Sequence, residues 1–140
     1  MDATEVLPIF GVLALLTVEM GGWALLRFLT GSPAPGGGDA EEIGRRLRFF
    51  RAGHAHAGVL IVLSLVYFIY LDRAAYSNGV DWIVGLALVV GAVMQSSGFF
   101  VHMGAGAPDR PTVGTTVTRV GAVLIAVSLV ILAVGLIKEL

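Results

Sequence analysis

The sequence predicts an all-α membrane protein: a four-helix transmembrane bundle built of two helical hairpins. Three observations carry this. Hydrophobic residues make up 56% of the 140 and charged residues only 14%, with a mean hydropathy of +0.88. A water-soluble domain of this size carries roughly a quarter charged residues, so water is a poor solvent for this chain. Four apolar runs, Val6–Leu29, Phe50–Leu71, Trp82–Met103 and Val117–Ile137, each meet the roughly 20 residues that a helix needs to cross the hydrocarbon. The connectors between them are short and polar, and a backbone in lipid must satisfy its own hydrogen bonds, which makes each run a helix. The chain is long enough for a single domain, residues 1–140.

Span one is preceded only by Asp2 and Glu5. A cleaved signal peptide carries a positive side chain there and has a shorter core, so this run reads as a retained helix. The glycine-rich stretch "GSPAPGGG", residues 31–38, breaks the chain. The segment "DAEEIGRRLRFFR" then predicts a short interfacial helix before span two. Asp39 caps it with Glu42 three residues on, Glu41–Arg45 and Glu42–Arg46 pair at i,i+4, and Ile43, Leu47, Phe50 and His54 share one stripe. Between spans two and three, Asn78-Gly79 signals a tight turn. Pro108, Pro111 and several glycines make the third connector irregular. Small residues, among them Gly21, Gly22, Gly58, Gly91, Gly98 and Gly121, permit close helix contacts inside one bundle or between copies.

Basic residues set the expected orientation. Arg27, Arg45, Arg46, Arg48 and Arg51 flank the first loop and Arg110 and Arg119 the third, against Arg73 and Lys138 on the other side. The positive-inside rule puts loops one and three in the cytoplasm and both termini outside, in a multi-pass protein of a bacterial inner membrane. Near-equal numbers of basic and acidic side chains, nine and ten, point to no nucleic-acid partner. The expected partners are the lipid bilayer and, through the small residues, a homo-oligomer or membrane complex. Without cysteine, thiolate metal sites, disulfides and cysteine nucleophiles are excluded, and no serine is placed by motif beside a His and an acid.

The candidate functional residues gather at the loop-one end of the spans. Glu19 lies eight residues before Arg27, roughly 12 Å from that edge at 1.5 Å per residue. A carboxylate in hydrocarbon costs at least about 2.5 kcal/mol, so it marks either a site or an ion-paired structural acid. Gln95 falls near the same depth, and Trp23, one turn beyond Glu19, either lines a cation pocket or anchors the interface. His54 and His56 open span two and His102 closes span three. Two residues apart on a helix is about 200°, so His54 and His56 do not face one centre. One of them with Glu19 and His102 would make a three-ligand N/O set suited to zinc, copper or iron. One of them with His102 alone would supply the two axial ligands of a b-type haem. Imidazoles near an interface also hydrogen-bond to headgroups or loop carbonyls without further role.

Two resemblances bear on these residues. The stretch "FFRAGHAHAGVL", Phe49 to Leu60, resembles a group of four-span membrane proteins of high-GC bacteria, which brings no activity with it. The stretch "VEMGGWALLRF", Val18 to Phe28, is similar to the first helix of the small multidrug resistance transporters. That likeness rests on Glu19, Gly22, Arg27 and Phe28, and it implies a proton- and cation-binding role for Glu19 in a dimer. It covers span one alone: the "GHAHAG" motif and the long charged first loop have no counterpart in that family, and span three does not match. Three functions remain open: a binding or transport protein for a metal ion or proton-coupled small solute, a redox module holding haem or quinone, and a non-catalytic accessory subunit.

Overall fold

The computed structural model describes residues 1–30, 40–105 and 110–140, and within them the chain is helical, with four long helices. These are α1 (Ala3–Thr30), α2 (Ala40–Leu71), α3 (Asn78–Gly104) and α4 (Val113–Lys138), with a short 3₁₀ turn, Asp72–Ala74, after α2. All four are long and apolar enough to cross a membrane. The glycine-rich breaker at 31–38, the capping Asp39 and Pro108 lie outside the described residues.

Each helix begins before its apolar run, because hydrocarbon thickness limits the run while backbone hydrogen bonding continues into the polar ends. Nowhere is this larger than in α2. The short helix expected ahead of span two is the first three turns of α2 itself, one continuous element of 32 residues. At 1.5 Å per residue it is about 48 Å long, well beyond the roughly 30 Å hydrocarbon layer. Its charge pattern explains the continuity: Glu41 and Glu42 sit in the first turn, where the helix dipole favours them. Arg46 binds Glu42 at 2.5 Å, whereas Arg45 turns to Glu42 at 3.9 Å instead of to Glu41.

The connection from α2 to α3 differs from the expected Asn-Gly turn. The chain reverses through the 3₁₀ turn and Ala75, at φ 48°. Asn78 and Gly79 are already the first residues of α3. Asn78 serves a neighbour instead, its Oδ1 accepting the Ala3 N–H at 3.2 Å, and this ties the start of α1 to the start of α3.

The core occupies the loop-two half. Leu7, Tyr67, Phe68, Leu71, Val84, Leu88, Ile125 and Leu132 are all buried there. Helix α3 is central, packing along α4 and α2, while α1 rests mainly on α2. The α3–α4 contact is made backbone to backbone. Gly91 meets Gly121 and Gly98 meets Gly114, the glycines on each helix being seven residues, two turns, apart. A methyl group on Gly121 would stand 2.6 Å from the Gly91 carbonyl oxygen, and one on Gly98 would stand 2.6 Å from that of Gly114. Without a hydrophobic drive between helices in lipid, this close approach and its dispersion contacts hold the pair together. Ser128 adds a polar tie. Its hydroxyl lies 3.0 Å from both the Leu124 carbonyl on its own helix and the Val84 carbonyl on α3.

Candidate functional site

At the loop-one end imidazoles join the aromatic packing. Gly53 of α2 brings its backbone against Phe99 and Phe100 of α3, so that a Cβ at Gly53 would stand 2.8 Å from the Phe100 ring. Around this contact each of the three imidazoles finds a phenylalanine. His54 stacks on Phe50 at 6.3 Å, His56 lies 4.7 Å from Phe99, and His102 lies 4.6 Å from Phe49.

The three histidines nevertheless face different neighbours. His54 turns to α1, where methyl groups on Gly21 and Gly22 would meet its ring nitrogens at 3.1 and 3.5 Å. His56 faces α3, and its Nδ1 is bound to the Ala52 carbonyl of its own helix at 2.8 Å. The 200° separation on α2 thus sends the pair to opposite helices, as the spacing requires. His102 turns to the start of α4. Its Nδ1 lies 2.8 Å from the Thr112 hydroxyl and 3.3 Å from that of Thr115.

Those two threonines form the capping box of α4. Each hydroxyl oxygen accepts the backbone N–H of the other residue. Both hydroxyl protons therefore need an acceptor, and the atom within reach of both is His102 Nδ1. A bare Nδ1 has one lone pair, so it accepts from one of them, and Thr112 is the nearer at 2.8 Å. In the tautomer in which Nδ1 accepts from Thr112 the ring proton is on Nε2, which makes no hydrogen bond among the described residues.

Beside this imidazole is a cavity of about 210 Å³ between α2, α3 and α4, lined by Phe49, Gly98, Phe99, His102, Thr115 and Thr118. Gly98, at its edge, is where α3 and α4 meet backbone to backbone. Thr118 donates to the Gln95 carbonyl at 3.4 Å. The volume is below the roughly 300 Å³ at which sites for drug-sized ligands begin, so it suits a single small ring and not a tetrapyrrole.

The other expected site residues stay apart from this cavity. Glu19 is exposed on α1 and makes no ion pair or hydrogen bond with a described residue. Trp23 is 60% exposed on the same helix, and its ring is covered by the Arg27 guanidinium at 4.9 Å. Gln95 is half-buried, engaged through its backbone with Gly121 and Thr118. The three-ligand set of Glu19, one of His54 or His56, and His102 does not form: among the described residues no three His, Cys, Asp or Glu side chains come together that could hold a metal ion. Two features keep it apart: His54 packs on Gly21 and Gly22 of α1 whereas His102 packs on α4, and Glu19 lies on an exposed face of α1. Sequence reasoning missed Phe49, Phe99 and Thr112. The Thr-x-x-Thr spacing just before an apolar run was the available signal for Thr112; for the phenylalanines there was none, because apolar residues in a span all look alike.

Compared with known proteins, the chain matches no family model, no curated protein and no solved structure.

Proposed function

We propose that the protein binds a small solute within the membrane, in the cavity between α2, α3 and α4, and presents the His102 Nε2–H to it as a hydrogen-bond donor. The observation that carries this is the placed imidazole: Nδ1 lies 2.8 Å from the capping Thr112 hydroxyl, and the ring borders an aromatic-walled cavity of about 210 Å³. Two phenyl walls and one donor fit a flat ring that bears a carbonyl, the chemistry of a quinone headgroup, more closely than a metal ion. The orientation that accompanies this reading puts loops one and three in the cytoplasm and both termini outside, because the arginines gather at the cavity's end.

The test is equilibrium binding of a short-chain benzoquinone to the detergent-solubilised full chain. Micromolar to millimolar binding is expected, weakened about tenfold or more by His102→Phe, which keeps a ring and removes the donor. His54→Phe, which alters an imidazole facing α1, leaves it unchanged. Absence of binding to the unsubstituted protein, or equal binding by the His102→Phe variant, sinks the proposal.

A second reading rests on Glu19. A carboxylate on a helix face whose neighbours Leu16 and Met20 are 61% and 71% exposed is costly in lipid, and a second transmembrane segment against α1 would relieve that cost. In this reading the chain is an accessory subunit that docks through α1. A photo-crosslinker at Leu16 that captures a membrane protein, with capture lost in Glu19→Leu, would favour it.

A further inference from the structure

We infer that Arg48 and Arg51 form a site for the phosphate of an anionic phospholipid, on the outer face of α2 where the helix emerges from the hydrocarbon. Along most of α2 the exposed residues fall in one stripe, through Arg48, Arg51, Val59, Val62, Val66 and Tyr70, in steps that keep to one helix face. Val59 is 68% exposed, and among the described residues no other helix covers the stripe. In a membrane this face lies along acyl tails, so the two arginines stand where the headgroup of the same lipid would be.

Their spacing of three residues puts both side chains on one side of the helix, about 5–6 Å apart at Cβ. Each guanidinium offers a planar fork that matches a phosphate's oxygens. Side chains on a helix lean toward its N-terminus, which for α2 is away from the hydrocarbon and toward the headgroup layer.

Neither arginine is otherwise employed. Both are exposed, and among the described residues neither makes a hydrogen bond, ion pair or ring contact. The carboxylate of Glu42 is engaged by Arg46 and approached by Arg45. At the far end of the same stripe Arg73 has a partner, its guanidinium lying 5.6 Å over the Tyr70 ring. The inner end therefore has a pair of uncommitted cations on a lipid-facing stripe, and the outer end has one cation already placed. This site is separate from the His102 cavity, which opens between α2 and the other helices.

The experiment compares lipid adducts of the full chain in a non-ionic detergent by native mass spectrometry, with phosphatidylglycerol and phosphatidylcholine of the same acyl chains. Phosphatidylglycerol is expected to bind at least about tenfold tighter than phosphatidylcholine, a comparison that needs no variant. The double variant Arg48→Gln/Arg51→Gln should weaken phosphatidylglycerol binding about thirtyfold, the effect of two interfacial cations. Arg73→Gln should leave it unchanged. Equal binding of the two lipids overturns the inference, as does undiminished phosphatidylglycerol binding by the double Gln variant. Dimers that disappear in that variant, with no lipid preference in the monomer, would give the face to a second copy and overturn it as well.

Discussion

At the scale of single residues, what decides a glycine's role is what a β-carbon would touch. Gly114 has the backbone of His102 and Gly98 against it, and neither can move without parting α3 from α4. Gly114→Ala should therefore cost about 1–3 kcal/mol, the range for overpacking, in reversible unfolding from detergent. Gly44, on the emergent part of α2, has nothing within 4 Å. Gly44→Ala should stabilise by about 0.5–1 kcal/mol, because alanine is the better helix former and finds free space. Opposite signs for the two substitutions are the expected result; equal losses would mean that the α3–α4 approach is not made on these glycines. Ser128→Ala removes one hydroxyl from two carbonyls, one of them on a neighbouring helix. Bonds of this kind within membranes average about 0.6 kcal/mol, so a loss of that order is expected in the same unfolding measurement.

At the scale of elements, the continuity of α2 is open to a direct test. If residues 44 and 62 lie on one straight helix, the 18 steps from one to the other span about 27 Å at 1.5 Å each. The chain has no cysteine, so Gly44→Cys/Val62→Cys carries two spin labels and no others, and their distance should centre near that length. A helix lying flat on the surface and joined to span two by a bend would give a clearly shorter distance. The outcome bears on what the sequence could tell. The apolar runs located all four helices, since crossing hydrocarbon demands both length and composition. They missed the ends, because nothing in a hydropathy pattern says whether the glutamates and arginines of residues 41–51 continue a helix or begin a new one. They also missed which faces meet. The opposed directions of His54 and His56 followed from helix geometry, but the pairing of Glu19 with an imidazole depended on which face α1 turns to α2, which an apolar run with small residues on several sides does not encode. The Thr112-x-x-Thr115 spacing beside His102 was a signal that went unread, whereas the phenyl walls of its cavity gave none.

At the scale of the whole molecule, the two ends differ in kind. The loop-two half is packed tight around Leu7, Tyr67, Phe68, Leu71 and Leu88, all buried. The other end has the imidazoles, the cavity and most of the arginines. The same arginines are then asked to serve two purposes, orienting the chain and holding lipid, and these can be separated. Replacing Arg45, Arg46, Arg48 and Arg51 together by glutamine leaves Arg27, Arg110 and Arg119 against Arg73 and Lys138, a bias too small to fix direction. An alkaline phosphatase fused after Leu140 should be active on the unsubstituted chain, where the C-terminus is expected outside, and should lose much of that activity in the fourfold variant as inverted molecules accumulate. The pair Arg48→Gln/Arg51→Gln alone keeps five basic residues at the loop-one end, so its reporter should stay active even as its anionic-lipid binding falls. An inactive fusion on the unsubstituted chain would invert the orientation and put the His102 cavity near the outer surface, with the solute arriving from that side.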